Sequence, residues 1–309
     1  MNAEHNMPEI DAETLKSKLG GVFAPIATPF SEDEEVDYEA LEFNLERYAA
    51  SGILGYLALG SNGENRSLTE EEKLRVLETI VRCKGRGQVV IAGATYDAQR
   101  DTERFLKQAA DVGADFGLVL SPGYFRKQMT EEVLYRYFST LADTSPIPLL
   151  LYNAPGFCGV TLTPALVGRL AAHPNIVGMK DSAPSGIENF LKFESDKFHV
   201  LAGSANFLFP AMLGGALGGT VSLANSFPEF VMELFHCGLA RDQARGYPLQ
   251  ERVTRINNAI AGSYGVAGVK AAMNLAGYRG GIPRRPLLAL TPTQVEELRR
   301  FLEQEGLLP

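Results

Sequence analysis

In the stretch "NIVGMKDSAPSG", residues 175–186, a four-residue apolar run follows Asn175 and leads directly to a lysine. Residues 176–179 carry no polar side chain, which is typical of a strand buried on both faces in a parallel sheet. Lys180 then places an ammonium group at the end of that strand, where burial carries a desolvation cost. Taken alone, Lys180 is more simply explained by a side chain that extends to water or pairs with Asp181.

Seven further short apolar runs along the chain have the same character, and amphipathic segments separate most of them. Two helix starts carry explicit signals, because Thr69 precedes Glu72 in a capping-box arrangement and Thr163 precedes Pro164. Strands that alternate with helices in this way indicate parallel βαβ units. The predicted strands span residues 21–30, 55–60, 88–93, 115–122, 147–155, 175–181, 198–203 and 218–224.

Eight such strands predict an α/β fold of the (β/α)₈ or TIM barrel type, whose strands are buried on both faces. An open doubly wound sheet would favour a GxGxxG turn after the first strand, and "APIATPF" at residues 24–30 has none. After about residue 226 helical patterns replace the strands and form a C-terminal helical appendage. We therefore divide the chain into an N-terminal arm (1–20), a barrel (21–226) and a C-terminal helical region (227–309).

The composition excludes several classes of partner. The 309 residues carry a net charge of −8 and no basic cluster, so nucleic acid is not an expected partner. The first 20 residues lack the apolar core of a signal peptide, and no apolar run is long enough to span a membrane. We expect a cytoplasmic protein without a metal site, because the histidines and cysteines form no ligand pattern. The cysteines are Cys83, Cys158 and Cys237.

Catalysis in a (β/α)₈ barrel takes place at the C-terminal ends of the strands, which turns the strand predictions into a site prediction. A neutral lysine amine in an apolar pocket adds to ketones and forms an imine, and Lys180 has the expected position. Tyr152 on the adjacent predicted strand could move the protons, with Ser61 as a relay, provided that Asp181 points away. The "GSNGE" loop at residues 60–64 offers backbone N–H groups to a small carboxylate.

Each of these features alone has a plainer interpretation as a packed aromatic, a βα turn or a surface residue. Together, four motifs on predicted strands two, four, five and six resemble the dihydrodipicolinate synthase/N-acetylneuraminate lyase family of class I, pyruvate-dependent aldolases. The likeness covers nearly the whole chain, and the set of motifs is far more specific than any one of them. The motifs are "GSNGE" (60–64), "SPGY" (121–124), "YNAPG" (152–156) and "GMKDS" (178–182).

The resemblance implies a role for each matching residue. Lys180 is expected to form the imine with pyruvate, so that no separate cofactor is needed, and Tyr152 is expected to be the general acid/base. Ser61 and Asn62 occupy the place of the family's Thr-Thr or Ser-Thr pair and are expected to bind the pyruvate carboxylate. Tyr124 matches a tyrosine that completes the proton relay, in several members from a neighbouring subunit, which implies a homotetramer built as a dimer of dimers.

Three further positions are expected to shape the pocket. Gly203 and Thr220 would contribute through their backbones, and Ser182 would line the pocket in the aldolase branch of the family. Phe157 is a departure, since the lysine-pathway synthase carries an arginine there that grips the carboxylate of aspartate semialdehyde. A ring cannot replace a bidentate guanidinium, unless another cation such as Arg126 substitutes.

The departure at Phe157 decides which branch the sequence favours. The chain looks closer to the 4-hydroxy-2-oxoglutarate and 2-keto-3-deoxy sugar acid aldolases, in which "GSNGE" is the familiar form of the second-strand loop. We therefore expect an aldolase that cleaves a 4-hydroxy-2-oxo acid to pyruvate. The alternative is 4-hydroxy-tetrahydrodipicolinate (dihydrodipicolinate) synthase, and a second is a non-catalytic keto-acid binding protein. A phosphate-binding barrel is weakly supported, because no basic residue follows the glycines near 203 and 214–219.

Overall fold

Eight short strands, each hydrogen-bonded in parallel to its neighbours in the chain, close into a barrel in which β8 pairs with β1. The computed structural model describes residues 10–309. The predicted fold class is confirmed, and each observed strand lies within its predicted run or overlaps it. The strands are β1 (Val22–Pro25), β2 (Gly55–Ala58), β3 (Val89–Ala94), β4 (Phe116–Leu120), β5 (Leu149–Asn153), β6 (Ile176–Asp181), β7 (His199–Ala202) and β8 (Gly218–Thr220).

Helices connect the strands and surround the barrel. The predicted capping box is present at α3, where Glu72 Oε2 accepts a bond from the Thr69 N–H at 2.8 Å and Thr69 Oγ1 accepts one from the Glu72 N–H at 3.2 Å. Pro164 opens α7 directly after its cap Thr163, also as predicted. The barrel helices are α2 (Tyr38–Ala49), α3 (Glu70–Cys83), α4 (Gln99–Val112), α5 (Glu131–Thr144), α6 (Pro155–Cys158), α7 (Pro164–Leu170), α8 (Glu188–Leu191) and α9 (Leu208–Leu213).

The apolar side chains of the strands form two layers. One layer fills the barrel and takes alternate residues of the strands, among them Phe23, Leu57, Leu150 and Leu201. The other layer lies between the strands and the helices, and includes the intervening strand residues. This two-sided burial is the reason that the strands show continuous apolar runs rather than alternating polarity.

A β-bulge in β6 changes which side chains face the barrel interior. Leu149 pairs with Ile176 and Leu150 pairs with Gly178, so Val177 is an extra residue on its strand. Ile176 belongs to the outer layer, and strict alternation from it would also turn residue 180 outward. Because of the bulge, Lys180 is instead in register with Tyr152 and with Leu201, both of which belong to the interior layer.

An N-terminal helix that the sequence analysis did not predict, α1 (Ala12–Leu19), lies within the proposed arm. Asp11 caps α1 by accepting a bond from the Thr14 N–H at 2.9 Å. Leu15 and Leu19 are buried in the same cluster as Phe23 and the other interior side chains of the barrel. The described part of the arm is therefore packed against the end of the barrel at which the strands begin.

Helices follow the last strand in the C-terminal region. A π-helical turn (Asn258–Gly262) joins the second of its helices to the third, and Gly265 has a φ of +57° within the latter. None of the helices in residues 10–309 combines the length and the apolar character that crossing a bilayer requires. The helices are α10 (Pro228–Leu239), α11 (Gln243–Asn257), α12 (Ser263–Leu275) and α13 (Pro292–Gln304).

Candidate active site

Lys180 and Tyr152 form a buried pair at the C-terminal ends of β6 and β5. Lys180 Nζ donates a hydrogen bond to the Tyr152 hydroxyl at 3.3 Å and lies 4.5 Å from the centroid of its ring. Lys180 is 5% exposed and Tyr152 is 2% exposed. The two side chains meet because the residues are paired in register on adjacent strands. The amine is thus held at an apolar wall with a phenol as its hydrogen-bond partner.

The electrostatic surroundings of Tyr152 favour its ionised form. Burial acts to raise the pKa of Tyr152, but the charge of Lys180 and hydrogen bonds with Ser61, Lys180 and Ser182 outweigh it. The net effect is a pKa below the ordinary value for tyrosine. A phenol with these partners can accept and return a proton more readily than an isolated one.

Asp181 faces away from the amine, as expected from the alternation of side chains along a strand. Its Oδ1 accepts bonds from Asn153 Nδ2 at 2.7 Å and from the Ala183 N–H at 3.1 Å. Burial raises the pKa of Asp181, although the bonds from Ala183 and Asn153 partly oppose the rise. The carboxyl group therefore belongs to the layer between the barrel and the helices.

The "GSNGE" loop forms a tight turn directly after β2. The Gly63 N–H bonds to the Gly60 carbonyl at 3.1 Å, and the Glu64 N–H bonds to the Ser61 carbonyl at 3.1 Å. Asn62 Nδ2 donates to Ser222 Oγ at 2.7 Å, which links the turn to the loop after β8. Ser222 was not among the site residues predicted from the sequence. Its position two residues after the end of the last strand, on the same rim of the barrel, is the feature from which it could have been predicted.

Gly203, Ser182 and Thr220 lie on the same rim. A Cβ atom on Gly203 would lie 2.1 Å from Ser182 Oγ and 2.4 Å from the Asp181 carbonyl oxygen, so a larger residue does not fit there. The Ser182 hydroxyl donates to the Gly203 carbonyl at 3.4 Å. Thr220 is buried in β8 and in register with Phe23, which belongs to the interior layer.

A cavity of about 410 Å³ opens beside Ser61 and contains two other predicted residues, Tyr124 and Phe157. Tyr124 is 80% exposed and its ring packs edge-on against Phe125, at 4.9 Å between centroids. A single chain therefore places Tyr124 on the rim rather than at the Lys180–Tyr152 pair. The lining residues are Ser61, Glu64, Asn65, Arg66, Ser67, Thr95, Asp97, Leu120, Gly123, Tyr124, Phe157, Cys158 and Leu287.

Phe157 belongs to α6 and is 67% exposed at the cavity entrance. Arg126, the cation that the sequence analysis named as a substitute, lies beside Gly159, 3.3 Å from where a Cβ atom would stand. Within residues 10–309, Arg126 is not among the side chains that line this cavity. The described part of the chain also contains no group of three metal-ligating side chains.

A closed (β/α)₈ barrel with a buried lysine beside a tyrosine on its C-terminal rim defines the class of lyases that act through a lysine imine. The family model described as "Dihydrodipicolinate synthetase family" matches residues 18–305. The chain belongs to this family, which confirms the family resemblance, and it is a pyruvate-dependent class I lyase. The aldolase branch suggested by the sequence is not confirmed.

Similar proteins in the family agree over nearly their whole length. The 4-hydroxy-tetrahydrodipicolinate synthase of Symbiobacterium thermophilum is 34% identical over 293 residues, which cover 94% of this chain and 99% of that relative. The crystal structure of dihydrodipicolinate synthase from Aquifex aeolicus is 31% identical, with a TM-score of 0.87 and coverage of 94% and 98%. The chloride-inhibited enzyme from Acinetobacter baumannii, solved with pyruvate, is 30% identical, with a TM-score of 0.87 and coverage of 94% and 100%.

Proposed function

We propose that Lys180 attacks the keto carbon of pyruvate and holds it as an imine, and that this imine is the intermediate for making or breaking a carbon–carbon bond. The observation that carries the proposal is the buried contact of Lys180 Nζ with the Tyr152 hydroxyl at 3.3 Å. The amine adds to the carbonyl to give a carbinolamine. Tyr152 then donates a proton to the departing hydroxyl, which leaves as water.

The protonated imine supplies the electron sink for the second half of the reaction. When a carbon–carbon bond breaks, its electron pair moves into the imine and gives an enamine, which a proton then quenches. In the condensing direction the enamine carbon attacks an aldehyde instead. Hydrolysis of the imine, or attack on its carbon by an amine of the second reactant, breaks the bond to Nζ and frees Lys180 for another turnover. The scheme needs no cofactor beyond the lysine itself.

The pyruvate carboxylate is assigned to the turn after β2. Ser61 and Asn62 offer a hydroxyl and an amide, whereas the N–H groups of Gly63 and Glu64 already bond to carbonyls within the turn. Gly203, Thr220 and Ser182 are assigned to the pocket wall, where the lack of a side chain at 203 leaves room for the Ser182 hydroxyl. Tyr124 is assigned to the proton relay from a neighbouring chain, which its exposure supports.

Reductive trapping tests the proposal. Incubation with pyruvate followed by borohydride should add a 1-carboxyethyl group, the product of imine reduction, to the peptide that carries Lys180. Mass spectrometry measures this adduct. Lys180→Arg should lose the adduct and turnover while keeping the circular dichroism spectrum and melting temperature of the parent. An unchanged mass, or an adduct on another side chain, would refute the proposal.

For the second substrate, the named relatives support condensation of pyruvate with aspartate semialdehyde. Several relatives between 31% and 34% identical are 4-hydroxy-tetrahydrodipicolinate synthases, and each aligns over at least 91% of this chain. This is the alternative of the sequence analysis, and the comparisons support it better than they support the aldolase.

A specific observation keeps the aldolase as a second candidate. Phe157 stands at the cavity entrance in the position where the synthase reaction calls for a guanidinium, and Arg126 does not line the cavity. A charge-assisted contact to a carboxylate contributes about 1.5–3 kcal/mol, so its loss weakens a clamp on aspartate semialdehyde. This favours cleavage of a 4-hydroxy-2-oxo acid to pyruvate.

A paired assay decides between the two candidates. Pyruvate release is measured from 4-hydroxy-2-oxoglutarate, 2-keto-3-deoxygluconate, 2-keto-3-deoxygalactonate and N-acetylneuraminate, beside condensation with aspartate semialdehyde. If the parent lacks only a guanidinium that binds the carboxylate of aspartate semialdehyde, Phe157→Arg should raise kcat/KM for the condensation about tenfold or more. Phe157→Lys is the matched control, because it adds a cation without the bidentate geometry. If the parent enzyme condenses pyruvate with aspartate semialdehyde efficiently and cleaves none of the four oxo acids, the aldolase is excluded as a candidate function.

We further infer a homotetramer arranged as a dimer of dimers, located in the cytoplasm. Tyr124, Phe157 and Leu287 line one cavity and all three are exposed in a single chain. An exposed apolar group of this kind supports contact with another protein surface. The cytoplasmic location is supported by three free cysteines and by the acidic composition.

A further inference from the structure

A second buried lysine, Lys270 on α12, lies outside the imine site. Its side chain is 1% exposed, and Nζ lies 2.6 Å from Oε1 of Glu64, whose side chain is 2% exposed. The contact is an ion pair by distance and is not aligned as a hydrogen bond, since Oε1 has no such partner within the described chain. Nζ also donates to the Ile282 carbonyl at 2.7 Å. An ion pair this deeply buried is costly to desolvate, which calls for a reason to keep it.

Glu64 belongs to the turn that carries Ser61. Its own N–H bonds to the Ser61 carbonyl, and its backbone adopts a left-handed conformation with a φ of 51°. That conformation is unfavourable for a residue with a side chain, so other contacts must hold it. Those contacts come from the C-terminal region, because Lys270 meets Oε1 and the Arg284 N–H bonds to Oε2 at 2.9 Å.

A continuous set of contacts leads from Lys270 to the imine site. Lys270 pairs with Glu64, and Glu64 closes the turn on Ser61. Ser61 is in turn one of the groups that lower the pKa of Tyr152, the hydrogen-bond partner of Lys180. We propose that Lys270 is a positioning residue whose ion pair with Glu64 holds the turn that presents Ser61 to Tyr152. This inference, which rests on the proposed function, gives the C-terminal helical region a part in the reaction.

The charges around Lys270 decide which substitution leaves the least unpaired charge in this buried site. Burial lowers the pKa of Lys270 to about 8, Arg284 acts in the same direction, and Glu64 opposes both. Arg284 is itself neutralised by Glu72 of α3, with 2.7 Å between Nη2 and Oε1. In Glu64→Gln the opposing carboxylate is gone, so the pKa of Lys270 should fall further and the lysine should lose its proton more readily.

The experiment compares Glu64→Gln, Lys270→Met and the double variant with the parent protein. Each variant should slow borohydride-trapped imine formation with pyruvate and lower kcat by about 100-fold, with a smaller change in KM, because Ser61 is displaced from Tyr152. Lys270→Met should also lower the melting temperature, because it leaves the buried Glu64 carboxylate without its cation. The double variant should recover the melting temperature without recovering kcat. Lys73→Met is the matched control, because Lys73 pairs with Glu70 on α3 at 2.7 Å, away from this route.

Any of four outcomes would overturn the inference. A double variant that regains both stability and turnover would make the pair purely structural, as would variants that lose stability but keep kcat. An equal loss in Lys73→Met would show that the effect is not specific to the route. A parent protein that forms no adduct would refute the proposed function itself, and the inference with it.

Discussion

Lys180 and Tyr152 can act together because neighbouring strands of a parallel barrel place paired residues side by side. The next residue in the chain, Asp181, takes the opposite face and bonds to Asn153, the residue that follows Tyr152. Residues 152 and 180 thus lie on one face of the strands, and residues 153 and 181 lie on the other. The proposed nucleophile and the phenol therefore face the barrel interior, on the side of the strands opposite to the Asp181 carboxylate.

Tyr152→Phe tests the proton-transfer role at the scale of a single residue. General acid–base catalysis contributes about 10²–10⁴-fold, so kcat should fall by roughly that factor while pyruvate still binds. The pKa of Tyr152 lies below the ordinary tyrosine value, so activity that needs the protonated phenol should decline as pH rises through a value below about 10. The pH–rate profile of the parent should show this alkaline limb.

The profile of the variant provides the control. Tyr152→Phe has no phenol at that position to ionise, so its residual activity should lack that limb. Tyr96→Phe, which removes a hydroxyl that bonds to Glu70 of α3, should retain it. An alkaline limb that persists unchanged in Tyr152→Phe would assign the titration to another group.

At the scale of the element, the bulge in β6 decides the direction of Lys180. The extra residue, Val177, lets Gly178 and Lys180 both face the side of Leu150 and Tyr152. Bulges commonly redirect side chains next to active sites, and this one turns the lysine into the lumen. Gly178 has no room for a side chain, because a Cβ atom there would lie 2.4 Å from the His199 carbonyl oxygen of β7.

Gly178→Ala should therefore separate β6 from β7 and misplace Lys180. Overpacking of this kind costs about 1–3 kcal/mol, so the free energy of unfolding should fall by that amount. The yield of borohydride-trapped adduct should fall as well. Gly156→Ala is the matched control, since nothing lies within 4 Å of its added methyl group. If Gly178→Ala traps pyruvate as fast as the parent, the bulge does not position the amine.

The elements themselves were largely predictable from local sequence. The eight apolar runs correspond to the eight strands, because each strand is buried on both faces and must be apolar along its whole length. The caps at Thr69 and Thr163 are local hydrogen-bond patterns and were found as such. Helix α1 was missed because its two buried leucines are too few to stand out in a polar segment.

At the scale of the whole molecule, the exposed Tyr124 is the feature that a single chain leaves unexplained. We expect it to act on the site of a neighbouring copy in the inferred homotetramer. Lys180→Arg and Tyr124→Phe should each be poorly active alone. Mixed subunits should recover roughly a quarter of parent activity under random exchange, because half of the dimers are mixed and each has one intact site.

Size measurement accompanies the mixing experiment. Light scattering on the parent and on both variants should give the mass of four chains, so that loss of activity is not confused with loss of assembly. A mixture that stays inactive after verified subunit exchange would place Tyr124 in its own chain's site, and a fully active Tyr124→Phe variant would place it outside the reaction.

The amino-acid sequence by itself determined the barrel, its helix caps and the order of the motifs on the rim, because strand burial and capping depend on residues close together in the chain. Only the tertiary structure decided that Lys180 faces inward, that Arg126 does not line the entrance and that Lys270 meets Glu64. Each of these depends on pairing between distant segments: a bulge is defined by the register with the neighbouring strand, and Lys270 and Glu64 are joined only when α12 packs over the turn after β2.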